Sequence, residues 1–140
     1  EFSNAVKGVL LTTYNQFDSH KSILWWKQKI NMVSRMEETS KDVYKKNAAK
    51  RIKGQIGIML WETNRRLLQE KYYDQSLELA EILLILNPES GTYYALKAET
   101  LAAQGKTEEA KSVFATAKIK GFTFDNAFLG KSTLLKQLEQ

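Results

Sequence analysis

The chain has no cysteine, a single histidine and a single proline in 140 residues. Without cysteine there is neither a disulfide framework nor a thiolate metal site; a helical core needs no disulfide in either redox environment, so the compartment stays open. His20 has no second histidine or cysteine to share a metal with, and no Ser/His/Asp arrangement can be built around it. It is expected in a turn before the first tryptophan-bearing helix. One proline and seven glycines interrupt the chain rarely, as suits an all-helical protein. No apolar run reaches the roughly 18–20 residues that cross a bilayer, the longest being 82–86. There is also no Asn-x-Ser/Thr sequon.

The motifs of chemistry are equally thin. Glu37–Glu38 and Glu108–Glu109 are sequence neighbours, so on a helix they point about 100° apart and cannot jointly flank a bond. Gly130-Lys131-Ser132-Thr133 resembles the end of a phosphate loop, but the glycine required five residues earlier is Asp125, and no strand feeds the segment. No catalytic residue, metal or cofactor is expected.

What is present is charge, helical periodicity and a repeat. Residues 1–70 carry 13 basic and 7 acidic side chains, a balance of +6, whereas 71–140 carry 8 and 9. The excess is densest at Lys41, Lys45, Lys46, Lys50, Arg51 and Lys53. Lys46, Lys50 and Lys53 share one helix face, with Lys41 and Lys45 on another. A solvated helix surface is favoured there, since the lysines spread round the axis and no aromatics interleave; the alternative is an anion-binding face for nucleic acid or lipid headgroups.

Apolar spacing predicts a helix over 5–17 and another over 23–38, with Ile23, Leu24, Trp26, Ile30, Val33 and Met36 buried. Trp25 and Trp26 are adjacent, so one could be buried while the other faces outward as a contact surface, but burial of both between the N-terminal helices is the expected outcome. Ser40 or Asp42 can cap a long helix to about residue 70, with Tyr44, Ala48, Ile52, Ile56, Met59, Leu60, Thr63 and Leu67 as its buried stripe. Gly54 and Gly57 either admit a close neighbour or break that helix in two.

Beyond this the residue pattern of 58–87 returns in 92–121, displaced by 34 positions. Leu60 recurs as Tyr94, Leu67 as Leu101, Tyr73 as Thr107, Ser76 as Ala110, Ala80 as Phe114 and Leu83 as Ala117. A fixed period of this size marks stacked helix pairs, none of which can bury its apolar face alone. Pro88 closes the first unit, and Gly105 supplies a left-handed turn in the second, after which Thr107 caps a helix with Glu108 and Glu109 in its first turn. From Asp125 or Asn126 a last helix of about fifteen residues would cover the exposed end with Phe128, Leu134, Leu135 and Leu138.

The period, the Tyr-x-x-Ser and Thr-x-x-Ala steps and Pro88 resemble the tetratricopeptide repeat, from about Ile58 to the C terminus. The second unit matches better, with Ala98, Gly105, Ala110, Phe114 and Ala117 in register; the first departs at Asn64, Lys71 and Ser76. The resemblance implies a right-handed all-α solenoid: N-terminal helices over 1–56, repeats over 57–90 and 91–124, and a closing helix over 125–140. Residues 1–5 look partly like a cloning remnant. The Ala-rich helix with Lys120-Gly121-Phe122 after it also looks like the ends of repeat regions in larger bacterial proteins, of which this chain would be a C-terminal part.

Such repeats imply a non-catalytic interaction or scaffold module whose opening helices line a concave groove. Trp61, Arg65 and Leu68 in one unit, and Ala95, Glu99 and Ala102 in the next, would face a protein segment, either from another protein or from the remainder of the same chain; the alternative is that Trp61 packs against the N-terminal helices and the protein fills the groove itself. Family members that clamp a chaperone's terminal carboxylate use a lysine and asparagines where Trp61, Arg65, Leu96 and Glu99 stand here, which argues against that partner. The double substitution Trp61→Ala with Arg65→Glu is expected to weaken partner binding with helicity unchanged.

Overall fold

Apolar side chains spaced by three and four residues wind into helices, and among the described residues helix is the one regular element. The computed structural model describes residues 19–140, with side chains from Leu24 onward. In order these are α1 (Ser19–Thr39), α2 (Val43–Gln69), α3 (Tyr73–Leu86), α4 (Gly91–Ala103), α5 (Thr107–Ile119) and α6 (Thr133–Leu138). The chain is all-α. The helix expected over 5–17 lies outside the described residues. Two compact units divide the chain, Glu1–Leu60 and Trp61–Gln140.

In the first unit α1 buries Trp26, Ile30 and Val33 in steps of four and three. Leu24, expected inside, is exposed, and His20 already lies within the helix rather than in a turn before it. Trp25 is half-buried and meets Trp26 edge-on at 5.1 Å, so of the adjacent pair only Trp26 is fully enclosed. Asp42 starts α2, its Oδ1 accepting the Tyr44 N–H at 2.9 Å. The helix then runs unbroken through Gly54 and Gly57.

Its buried stripe differs from the expected one at the start. Ala49, Ile52, Ile56 and Leu60 are buried, whereas Tyr44 is 86% exposed. Successive steps of four residues each drift by about 40°, so three of them carry Tyr44 some 120° away from Ile56. Gly54 is exposed, and a Cβ built there meets nothing within 4 Å, so no neighbouring helix requires its small size.

In the second unit α4 packs between α3 and α5, and α6 rests on α4 and α5. The turns obey local rules. After α2, the Tyr72 N–H reaches the Leu67 carbonyl at 2.8 Å and the Lys71 N–H reaches Leu68 at 3.1 Å. After α4, Lys106 reaches Leu101 at 3.0 Å and Gly105 reaches Ala102 at 3.0 Å. Both are the same paired closure, with its left-handed residue at Lys71 (φ 68°) and Gly105 (φ 82°). Thr107, expected to cap α5, is instead its first residue. The cap position is Lys106, which makes no side-chain capping bond, and Glu108 and Glu109 do occupy the first turn.

Where helices cross closely, Ala98 and Ala110 are wholly buried. At the corresponding first-unit positions Asn64 and Ser76 are also fully buried, and Asn64 Nδ2 donates to the Ser76 carbonyl at 2.6 Å and to its hydroxyl at 2.9 Å.

The expected fifteen-residue closing helix is replaced by turns over 124–131 and the six residues of α6. Two capping side chains explain the interruption. Asn126 Oδ1 accepts the N–H groups of Phe128 and Leu129, and the single turn it starts ends at Gly130; Ser132 Oγ then caps α6 by accepting from Leu135. A Cβ at Gly130 would collide with the carbonyl oxygens of Phe124 and Asn126. Phe114, Phe122 and Phe124 pack mutually with centroids 5.7–5.8 Å apart, and Leu129 and Leu135 are buried beside α4 and α5.

Candidate interaction site

Trp61, Arg65 and Leu68 follow one another at i, i+4 and i+7 on the last turns of α2, a spacing that aligns them on one face. Trp61 is half-buried. Its ring lies 6.4 Å from that of Tyr93 and meets Phe128 edge-on at 5.5 Å, distances at which aromatic pairs attract. Tyr93 sits in the first turn of α4, where its N–H is held by Ser90 Oγ at 3.1 Å. Burial pushes its phenol above the ordinary value of 10.0.

Phe128 is placed by Asn126, whose Oδ1 accepts its N–H at 2.8 Å and whose Nδ2 donates to Thr92 Oγ1 at 3.1 Å. It is 72% exposed. A hydrophobic ring fixed by its backbone and left in water is the open edge of this aromatic trio.

Next to Trp61 on the helix face, Arg65 Nη1 pairs with Glu99 Oε1. Glu99 is 3% exposed, so the guanidinium neutralises a carboxylate withdrawn from water. The six expected groove residues therefore divide by depth. Trp61, Arg65, Leu68 and Ala102 are partly accessible, while Ala95 and Glu99 lie beneath the surface. Arg65→Glu would set a second carboxylate against Glu99, so the double substitution in that form cannot leave the fold unperturbed.

Tyr93 and Phe128 were absent from the sequence-based site. Phe128 stands 34 residues after Tyr94, a signal that the period offered; reading 125–140 as one helix placed its ring in the core instead.

Of the basic positions, Lys46 and Lys50 are exposed, whereas Lys53 is half-buried and pairs with Glu37 at 3.3 Å. Gly130-Lys131-Ser132-Thr133 forms the turn into α6, with no strand among the described residues to feed it. Among those residues no group of three His, Cys, Asp or Glu side chains is placed to hold a metal ion, and no helix is long and apolar enough to cross a membrane. Comparison with protein-family models, with curated proteins and with solved structures finds no match to this chain.

Proposed function

We propose that the chain is a non-catalytic interaction module of tetratricopeptide-like helix pairs that holds a segment of another protein, or of a larger parent chain, on the face bearing Trp61. The repeat reading draws support from side chains one period apart that touch each other. Arg65 meets Glu99 and Thr92 meets Asn126, each pair separated by 34 residues. Lys71 and Gly105, again 34 apart, end their helices with the same closure.

The observation that carries the function is the aromatic trio Trp61, Tyr93 and Phe128, anchored from below and open at Phe128. Rigid aromatic rings beside a partly exposed arginine are the side chains that dominate binding energy at protein interfaces. An extended peptide would cover the Phe128 ring and stack on Trp61.

The test is a selection of peptides from a displayed library on the native chain, followed by titration against Phe128→Ala and Trp61→Ala. Because Phe128 is mostly exposed, its variant should keep native helicity. Selected peptides should lose about tenfold in affinity for each variant. Peptides that bind both variants as well as the native chain would show that this face is not the binding site.

A further inference from the structure

The outward face of α2 in the first unit carries a second surface. From Val43 to Trp61 the helix contains no acidic residue. At 100° per residue, Val43, Tyr44, Lys50, Arg51 and Ile58 fall within a sector of about 120°, with Lys46 some 40° outside it. All six are exposed, and the buried Ala49, Ile52 and Ile56 lie on the opposite side. Three of the exposed residues are apolar: Val43 at 65%, Tyr44 at 86% and Ile58 at 62%. Lys41 and Lys45 add exposed charge at the start of the helix. The acids nearby are Asp42, whose carboxylate caps the helix, Glu62, one turn beyond Ile58, and Glu37, which pairs with Lys53 at 3.3 Å beside this face.

We propose that this face attaches the protein to a bilayer surface containing acidic phospholipids. Lysine and arginine near such a surface are drawn by its negative potential, and the attraction adds up over the residues that lie within a Debye length. A tyrosine ring suits the headgroup level, and aliphatic side chains gain by entering the acyl boundary. Val43 and Ile58 stand about 22 Å apart along the axis, so the apolar contacts brace both ends of the cationic stretch. Nucleic acid offers phosphate to the same lysines, but its backbone gives Val43 and Ile58 nothing to enter. The apolar residues therefore select lipid. This inference does not rest on the aromatic site of the second unit.

The test is co-sedimentation of the whole chain with vesicles of phosphatidylcholine alone or mixed with phosphatidylserine, at low and high salt. Binding should require phosphatidylserine and fall as salt rises. Lys46→Glu with Lys50→Glu should weaken it by about tenfold or more. Tyr44→Ser with Ile58→Ser, which leaves the charge unchanged, should weaken it about threefold or more. All four residues are exposed, so circular dichroism should report an intact fold in both variants. Absence of binding, equal binding to both vesicle types, or full binding by the Tyr44/Ile58 variant would overturn the proposal. So would displacement from the vesicles by a short duplex DNA that binds both native chain and Tyr44/Ile58 variant, which would assign the lysines to nucleic acid.

Discussion

Lys71 and Gly105 perform the same task with different side chains. Each sits just past a helix end in the left-handed region, at φ 68° and 82°, while the residue that follows closes back on the last turn. Glycine adopts that geometry without a steric penalty, whereas a Cβ costs roughly 1–2 kcal/mol, offset in part by the greater freedom glycine has in the unfolded chain. Lys71→Gly should therefore stabilise the protein by about 0.5–1 kcal/mol, and Gly105→Ala should destabilise it by a similar amount. Urea midpoints read both; a lower midpoint for Lys71→Gly would contradict the argument. The sequence marked Lys71 as a departure from the repeat, and the turn survives because the backbone bonds are unchanged. Asn64 and Ser76 are a like case. Neither is the small apolar residue that a close crossing favours, yet the Asn64 amide donates to the Ser76 carbonyl and hydroxyl where Ala98 and Ala110 simply fit.

At the scale of elements, two glycines in helices α2 and α4 have opposite meanings. A Cβ at Gly54 meets nothing within 4 Å, so the residue costs helix propensity without a packing return. At Gly91 a Cβ would lie 2.8 Å from the Ala117 carbonyl oxygen and from the Phe122 nitrogen, because the start of α4 rests on the end of α5. Gly54→Ala should stabilise by about 1 kcal/mol, and Gly91→Ala should cost about 1–3 kcal/mol through forced displacement of backbone. Thermal denaturation of the two variants checks this; shifts of the same sign would refute the contrast. Both glycines are visible in the sequence, but only three-dimensional packing tells them apart. The helices from α3 to α5 were legible because a proline, a glycine and a repeated apolar pattern all mark the same boundaries. The C-terminal segment was not. Its apolar residues have helical spacing, but Asn126 and Ser132 each offer a local cap that competes with continuing one helix. Likewise Tyr44 fits a step-of-four stripe that helical drift carries into water, and that error hid an aromatic residue among the lysines of α2.

Charge and protonation act on the whole molecule. The unit Glu1–Leu60 holds 11 basic and 5 acidic residues, whereas Trp61–Gln140 holds 10 and 11, so the first carries +6 and the second −1 of the net +5. Protonation in the second unit gives stability an alkaline limit. Tyr93 is raised above 10.0 by burial, which disfavours the phenolate. Lys120 is raised above 10.5, first by its hydrogen bond to Glu89, with Nζ 2.5 Å from Oε2, and further by the attraction of that carboxylate. Both groups keep their protons to higher pH in the folded chain than in the unfolded one. Their stabilisation is thus complete below the unfolded values and is lost as pH rises through the folded ones. The melting temperature should therefore hold up to about pH 10 and fall as pH rises above it. Tyr93→Phe keeps the ring against Trp61 and removes the ionisable hydroxyl, so its melting temperature should fall less steeply over that range. Lys120→Met should likewise flatten the slope, by a smaller amount, since its ion pair with Glu89 lies at the surface where solvent screens it. An unaltered slope in the Tyr93→Phe variant would mean that the phenol is as free to ionise in the fold as in the unfolded chain, and would contradict its desolvation.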